Sequence, residues 1–281
     1  MHLPLRFNEK GTVGHEFDVM KGRGEKVNSI VCMKQVPDTE SIIRIDGEGT
    51  GIVEEGLTYV ANPYDEYGVE EALRFREKFG EGKITVVTVG PQRAEEAMRY
   101  FFAMGADEGV LIRDDEPQKR DPFAIAQCLA EAIRDMEYDV IFCGKQAVDD
   151  DSGQVGAMLA ELLDIPQATV VTKLEVADDK KSALAHREIE GGEEVIEIQL
   201  PAVITAQKGL NEPRFTSLRE IKRAMGKPIA TRELRVPEAK TRVVSLERPP
   251  ERPPGRILEG EDVDVVGELV DALRNEAKLI D

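Results

Sequence analysis

The sequence is poor in the residues that most often do chemistry. It has no tryptophan, three histidines and three cysteines, and aromatics make up 5% of it. His2 and His15 fall in a glycine-punctuated N-terminal stretch, which leaves His186 alone in the body. General acid–base catalysis uses histidine most often, though Asp, Glu or Lys can replace it, so the scarcity weighs against an enzyme. Cys32, Cys128 and Cys143 each sit inside an apolar segment, with no CxxC spacing and no histidine beside them. They read as small buried hydrophobes in a reducing compartment, and no metal site is expected. No apolar stretch approaches the ~20 residues needed to span a bilayer; Ile84–Val89 and Val140–Cys143 are among the longest. Bases are short as well, 37 Lys and Arg against 55 Asp and Glu, for a net charge of −18. Such a surface repels phosphate backbones and anionic headgroups, which argues against nucleic-acid or membrane-surface partners. The expectation is a soluble, cytoplasmic protein with no direct membrane insertion.

What is present is an ordinary globular composition, 41% hydrophobic and 33% charged over 281 residues. That length can bury one generous core or two small ones. Residues 1–28 lack the charged, apolar and cleavage regions of a signal peptide. They also lack sustained periodicity and carry Gly11, Gly14, Gly22 and Gly24, so 1–27 reads as a poorly structured extension.

From Ser29 the pattern is regular. Ser29–Lys34 is a short apolar run of the buried-strand kind. Ile42–Val60 reads as strand, turn, strand, with Gly47, Gly49 and Gly51 at the turn. No amphipathic helix opens directly after those glycines, which favours a hairpin over a phosphate loop. Asn62-Pro63 looks like a helix cap and first position, with the helix running to Phe79 and stopping at Gly80. Strands over Ile84–Val89, Gly109–Ile112 and Asp139–Cys143 alternate with helices over Ala94–Met104, Pro122–Met136 and Ser152–Leu163. Apolar strands alternating with amphipathic helices imply a parallel sheet covered on both faces.

After Pro166 the pattern changes. Val170–Val176, Ala183–Glu188 and Glu194–Leu200 resemble β-segments, two of them around a Gly191-Gly192 turn. Ala202–Ala206 is a buried strand and Leu218–Met225 a helix. Pro249, Pro250, Pro253 and Pro254 mark an extended linker, and Asp262–Ala277 closes the chain as an amphipathic helix. The expected fold class is α/β: a parallel-sheet, Rossmann-like adenine-nucleotide-binding domain over 28–235 with extra β-segments. A linker and C-terminal helical arm occupy 236–281, and sequence alone leaves open whether the arm docks elsewhere or folds back.

Open α/β sheets bind ligands at the carboxyl ends of their strands, where strand order reverses. Four segments fall there: Cys32–Pro37, Asn62–Asp65, Val89–Pro91 and Gly144–Gly156. The last, GKQAVDDDSGQVG, places Asp149, Asp150 and Asp151 before a helix start. Glycines at a helix start let backbone N–H groups approach a phosphate. The carboxylates would repel that phosphate, so they suit capping or ribose hydroxyls. Consecutive loop residues cannot all face one ion, which makes a divalent-metal site a weak reading.

Several segments resemble one family: VCMKQVPD (31–38), NPYDEYGVEEALR (62–74), GADEGVLI (105–112), GKQAVDDDSGQVGAMLAELL (144–163), LPAVITA (200–206) and LNEPRF (210–215). In order and spacing they are similar to the beta subunit of electron transfer flavoproteins. The resemblance implies a heterodimer whose alpha subunit carries the redox-active FAD and whose beta subunit binds a second nucleotide, usually AMP. It implies electrons taken from dehydrogenases, commonly acyl-CoA dehydrogenases, and passed to a quinone oxidoreductase or similar acceptor. Carried over by motif, the nucleotide pocket is Cys32, Asn62, Pro63, Tyr64, Asp65, Val89, and the run Asp149, Asp150, Asp151, Ser152, Gly153, Gln154, Val155, Gly156, Ala157, Met158, Leu159 and Ala160. The partner-recognition loop is Ala206 to Arg214, with Leu210, Asn211, Glu212, Pro213 and Arg214, and Leu210 is expected as an exposed apolar knob.

Electron-bifurcating relatives, which hold a second FAD in the beta pocket, show a DGDT…QVGP pattern. Here the corresponding residues are Asp150 and Ala157, which favours AMP. An independent ATP-using enzyme of similar fold is the remote alternative, but neither SGGxDS nor GxxxxGK[ST] occurs. Family members begin near Val27, which GTG can encode, after a Gly24-Glu25 pair that a purine-rich stretch can encode. Residues 1–26 are therefore expected to be an upstream mistranslation.

Overall fold

The computed structural model describes residues 26–250, 254–260 and 263–280. The expectations for the first 25 residues lie outside this range. In chain order the first strands are β1 (Ser29–Cys32), β2 (Gln35–Pro37), β3 (Tyr59–Ala61), β4 (Ile84–Gly90), β5 (Glu108–Arg113) and β6 (Val140–Gly144). The rest are β7 (Gln167–Val176), β8 (Ser182–Ile189), β9 (Gly192–Gln199), β10 (Ala202–Ala206) and β11 (Ile229–Arg232). The helices are α1 (Pro63–Phe79), α2 (Ala94–Met104), α3 (Pro122–Ile133), α4 (Val155–Leu163), α5 (Leu218–Ala224) and α6 (Val263–Asp271).

Nine strands form one sheet in the order β11-β5-β4-β1-β6-β10-β7-β8-β9. Pairing is parallel from β11 to β7 and antiparallel from β7 to β9. The parallel strands are apolar on both faces because helices cover both. Val31, Val86 and Phe142 enter one core with α1 and α2; Ile30, Val87 and Ile141 enter a second with α3 and α4. Val27, which the sequence placed in the extension, is 1% exposed and belongs to the first core.

Local chemistry sets the element ends. Proline opens α1 and α3, and Gly80 stops α1 at φ 90°. Asp121 caps α3, its carboxylate accepting the Ala124 N–H at 2.9 Å. The expected hairpin over 42–60 reduces to a single bridge between Ile45 and Ile52. The strand pair there is β2 with β3, which flank that excursion. β11 carried no clear sequence signal and adds to the sheet edge beside β5. Two compact units divide at Val244/Ser245. In the first, Lys240 and Thr241 donate their backbone N–H groups to Asp121. In the second, α6 leads into a π-helical turn over Ala272–Glu276. No helix among the described residues is long and apolar enough to cross a membrane.

Candidate functional site

The strand order reverses between β1 and β6: the chain passes from β1 out to β4 and β5, then returns to β6 and β10 on the other side. Their carboxyl ends therefore diverge into a crevice. The four segments singled out from sequence meet there. Asn62 donates its backbone N–H to the Lys34 carbonyl, and Gln35 reaches the Arg93 carbonyl just beyond β4.

Asp65 holds the crevice together. Its carboxylate accepts the backbone N–H of Lys34 at 2.8 Å, that of Gly144 at 2.9 Å, and the Asn62 side-chain amide at 3.0 Å. One side chain thus binds the ends of β1 and β6. Burial pushes its carboxyl up to about 7 although all three donors favour the charged form. Gly144 is glycine because a Cβ there would lie 2.4 Å from the Asp65 Oδ1 and 2.7 Å from the Tyr64 Cβ.

Asn62 occupies the cap position of α1 but makes no side-chain cap. Its amide donates instead to the Gln146 carbonyl and accepts the Val148 N–H, which fixes the loop after β6. Lys34 completes that loop. Its ammonium bonds Asp149 at 2.8 Å and Asp150 at 2.9 Å. Burial works to lower the Lys34 pKa, but the two carboxylates outweigh it and raise it. Partial burial works against the charged form of Asp150, yet the Ser152 N–H and Lys34 hold it below the usual range. Lys34 was missed in the sequence as a site residue; its position two residues after Cys32 was the available signal.

Helix α4 starts at Val155, later than the Ser152 expected, because Asp151 and Gly153 adopt left-handed φ of 51° and 60°. The helix start has no side-chain cap, which leaves its first N–H groups without a side-chain acceptor there. Gly156 packs where a Cβ would lie 2.6 Å from Thr205 Cγ2. Pro63, Gly153 and Gln154 are exposed at the rim, and Tyr64, Val89, Ser152, Val155, Ala157 and Met158 are half-buried. Leu159 and Ala160 are fully buried in the second core, where they support α4 and do not line the crevice. Two depressions, of about 380 and 480 Å³, lie at the opposite end of the sheet around Asn28 and Lys83.

The expected apolar knob is corrected. Leu210 is 8% exposed and packs into the first core. The residues on either side of it are the cause. Gly209, at φ 104°, turns the chain back, and Asn211 donates to the Tyr67 carbonyl and Glu71 on α1. Arg214 then grips buried Glu70 with its Nε and Nη2 and reaches Glu77 with Nη1. These bonds draw the loop onto α1 and Leu210 inward. Ala206 is buried, and Glu212 is exposed. The exposed apolar side chains lie just beyond, at Phe215, Leu218, Ile221 and Met225.

A parallel sheet with its crevice at the reversal of strand order, glycine-lined and beside an uncapped helix, makes this a Rossmann-like α/β protein. Residues 49–237 match the electron transfer flavoprotein domain model. The chain is 44% identical over 263 residues to the electron transfer flavoprotein subunit beta of Bacillus subtilis, covering 90% of this chain and 100% of that one. The subunit beta of Thermoanaerobacterium thermosaccharolyticum is 40% identical over 89% of this chain and 98% of its own length. That of Mus musculus is 37% identical over 87% and 97%. The chain belongs to the electron transfer flavoprotein beta-subunit family, whose members are electron carriers and not classical enzymes.

Proposed function

We propose that this chain is the nucleotide-holding half of a heterodimeric electron carrier, with AMP in the β1/β6 crevice and FAD held mainly by an alpha subunit. FAD supplies the redox centre when bound. The observation that carries the AMP reading is the Lys34–Asp149–Asp150 clasp beside the uncapped start of α4. An uncapped helix start suits a single phosphate, and Lys34 offsets part of the charge of the two carboxylates beside it. The carboxylate of Asp150, fixed beside them, repels a second phosphate, and Asp150 lacks the freedom of the glycine seen in the bifurcating pattern. Gly153 to Ala157 would hold the phosphate, and Cys32, Asn62, Tyr64 and Val89 would enclose the rest.

The apolar stripe of Phe215, Leu218, Ile221 and Met225 is where we place the electron-donating dehydrogenase, of the acyl-CoA dehydrogenase type, above the loop that Asn211 and Arg214 fix. The amphipathic α6, with Val266 60% and Leu269 48% exposed, would dock on the alpha subunit. A quinone oxidoreductase or similar protein would accept the electrons.

Nucleotide stoichiometry tests this reading. The chain co-purified with its alpha subunit should release one FAD and one AMP per heterodimer. Two FAD with NADH-dependent reduction would show the bifurcating type instead, and ATP turnover by this chain alone would overturn the carrier reading.

A further inference from the structure

The sequence treats its cysteines as three separate buried hydrophobes, but the fold makes two of them neighbours. The β1–β6 ladder pairs Ser29 with Val140, Ile30 with Ile141 and Val31 with Phe142, so Cys32 and Cys143 occupy the next rung. Both side chains point to the same face: Ile30, Cys32, Ile141 and Cys143 all enter the core shared with α3 and α4. Adjacent strands lie about 4.8 Å apart, within the range of about 4.4–6.8 Å between Cα atoms that a disulfide spans.

The pair also sits at a mechanically important point. Cys143 directly precedes Gly144, and Cys32 lies two residues before Lys34; the N–H groups of Gly144 and Lys34 are the two that Asp65 binds. The two residues are 7% and 6% exposed, at the carboxyl ends of their strands, where the crevice opens. Cys128, by contrast, is 1% exposed on α3.

We propose that Cys32 and Cys143 are a reversible dithiol–disulfide site, oxidised by a peroxide, that joins the strands on either side of the crevice. The neighbouring Cys32 and burial push the Cys143 thiol up, which suits Cys143 to the second, resolving step. Cys32 loses its proton and its sulfur attacks one peroxide oxygen; the O–O bond breaks, giving a sulfenic acid and one water. The Cys143 sulfur then attacks the Cys32 sulfur, the S–O bond breaks, and a second water leaves with the Cys143 proton. Two thiols have lost two electrons and two protons, and hydrogen peroxide has become two waters. The site stands whichever nucleotide the crevice holds.

The test uses the full chain in its native complex, treated with hydrogen peroxide, then denatured with an alkylating agent and digested for mass spectrometry. The expected product is a peptide pair linked through Cys32 and Cys143 that separates after dithiothreitol, with Cys128 fully alkylated. Cys143→Ala should lose the link and leave Cys32 as a sulfenic acid that dimedone traps. Full alkylation of all three cysteines after peroxide, or oxygen adducts on wild-type Cys32 or Cys143 without a link, would overturn the proposal. The wild-type measurement decides alone if the variant fails to fold.

Discussion

Two loops leave neighbouring strands at the same end of the sheet and are held by opposite means. The tip of the loop after β6, beyond the base that buried Asn62 fixes, is held by exposed charge: the Lys34 side chain is 42% exposed, with Asp149 at 28% and Asp150 at 48%. The loop after β10 is fixed by buried groups: the Glu70 side chain that Arg214 grips is 5% exposed, and Leu210 fills the core beneath it. Exposed pairs are worth little and are screened, whereas a buried carboxylate stripped of its partner is costly. The first loop can therefore adjust to a ligand, while the second gives a rigid base to the apolar stripe beyond it.

The largest effect should come from Arg214→Met. The variant leaves buried Glu70 with Arg74, at 3.3 Å, and the backbone N–H of residue 214, at 3.2 Å. Losing the partner of a buried ion typically costs 3–5 kcal/mol; Arg74 and the partial exposure of Arg214 bring the expected loss to about 3 kcal/mol. Although burial opposes it, Arg214 holds the Glu70 carboxyl below its usual range. Such a group stabilises the fold above its unfolded pKa and loses that contribution as pH falls. Urea midpoints should thus show a wild-type advantage that is level from pH 7 to about pH 5 and shrinks as pH falls below the ordinary 4.5. An advantage independent of pH would mean that the pair acts only through packing.

Next comes Leu210→Ala, which should destabilise the fold by about 2 kcal/mol through cavity formation. Phe215→Ser, at a fully exposed site, should stay within about 0.5 kcal/mol of wild type. Electron transfer from the dehydrogenase at sub-saturating concentration should show the reverse, slowing more for Phe215→Ser. If Leu210→Ala is thermally neutral and kinetically impaired, the leucine faces outward and the buried arrangement is wrong.

The contrast explains what the sequence could show. Strong local periodicity set α2 and β10 at the bounds expected, Ala94–Met104 and Ala202–Ala206. The segments that build the crevice were legible because strand ends and turn residues are local features. Leu210 was misread because its burial depends on Asn211 and Arg214 reaching α1, with 140 and 144 residues between partners. The later start of α4 came from backbone angles at Asp151 and Gly153 that residue type alone does not dictate. β11 is a short edge strand whose pairing, not its pattern, makes it a strand. The Cys32–Cys143 rung required the register between β1 and β6, another long-range fact.

Asp65 lies beneath the first loop and gives an intermediate effect with a pH signature. Its folded pKa is about 7 against an ordinary 3.8. Between those values the folded state keeps a proton that the unfolded chain has released. Its contribution to stability is therefore full at low pH, falls between about pH 4 and pH 7, and is level above, with a slope of at most about 1.4 kcal/mol per pH unit. Asp65→Asn removes this slope. The difference in unfolding free energy between wild type and variant should decline from about pH 4 to about pH 7 and level off beyond it, and an unchanged difference would rule out Asp65 as the titrating group.

Among the variants of charged groups, the smallest stability effect belongs to Lys34→Met. Each of its pairs is partly exposed, so their combined loss should stay near or below about 1 kcal/mol in dilute buffer. It should shrink further at 1 M salt, where the screening length falls to about 3 Å from about 10 Å at 0.1 M. Loosening of the loop should nevertheless show in the nucleotide: Asp149 and Asp150 would face the crevice without a counter-charge, and the heterodimer should retain less AMP through gel filtration. Lys34→Arg keeps the charge and should restore retention. Loss of stability as large as that of Arg214→Met, or unaffected by salt, would show that the clasp is structural in the same sense as the second loop. Unchanged AMP retention at normal stability would remove Lys34 from the nucleotide site.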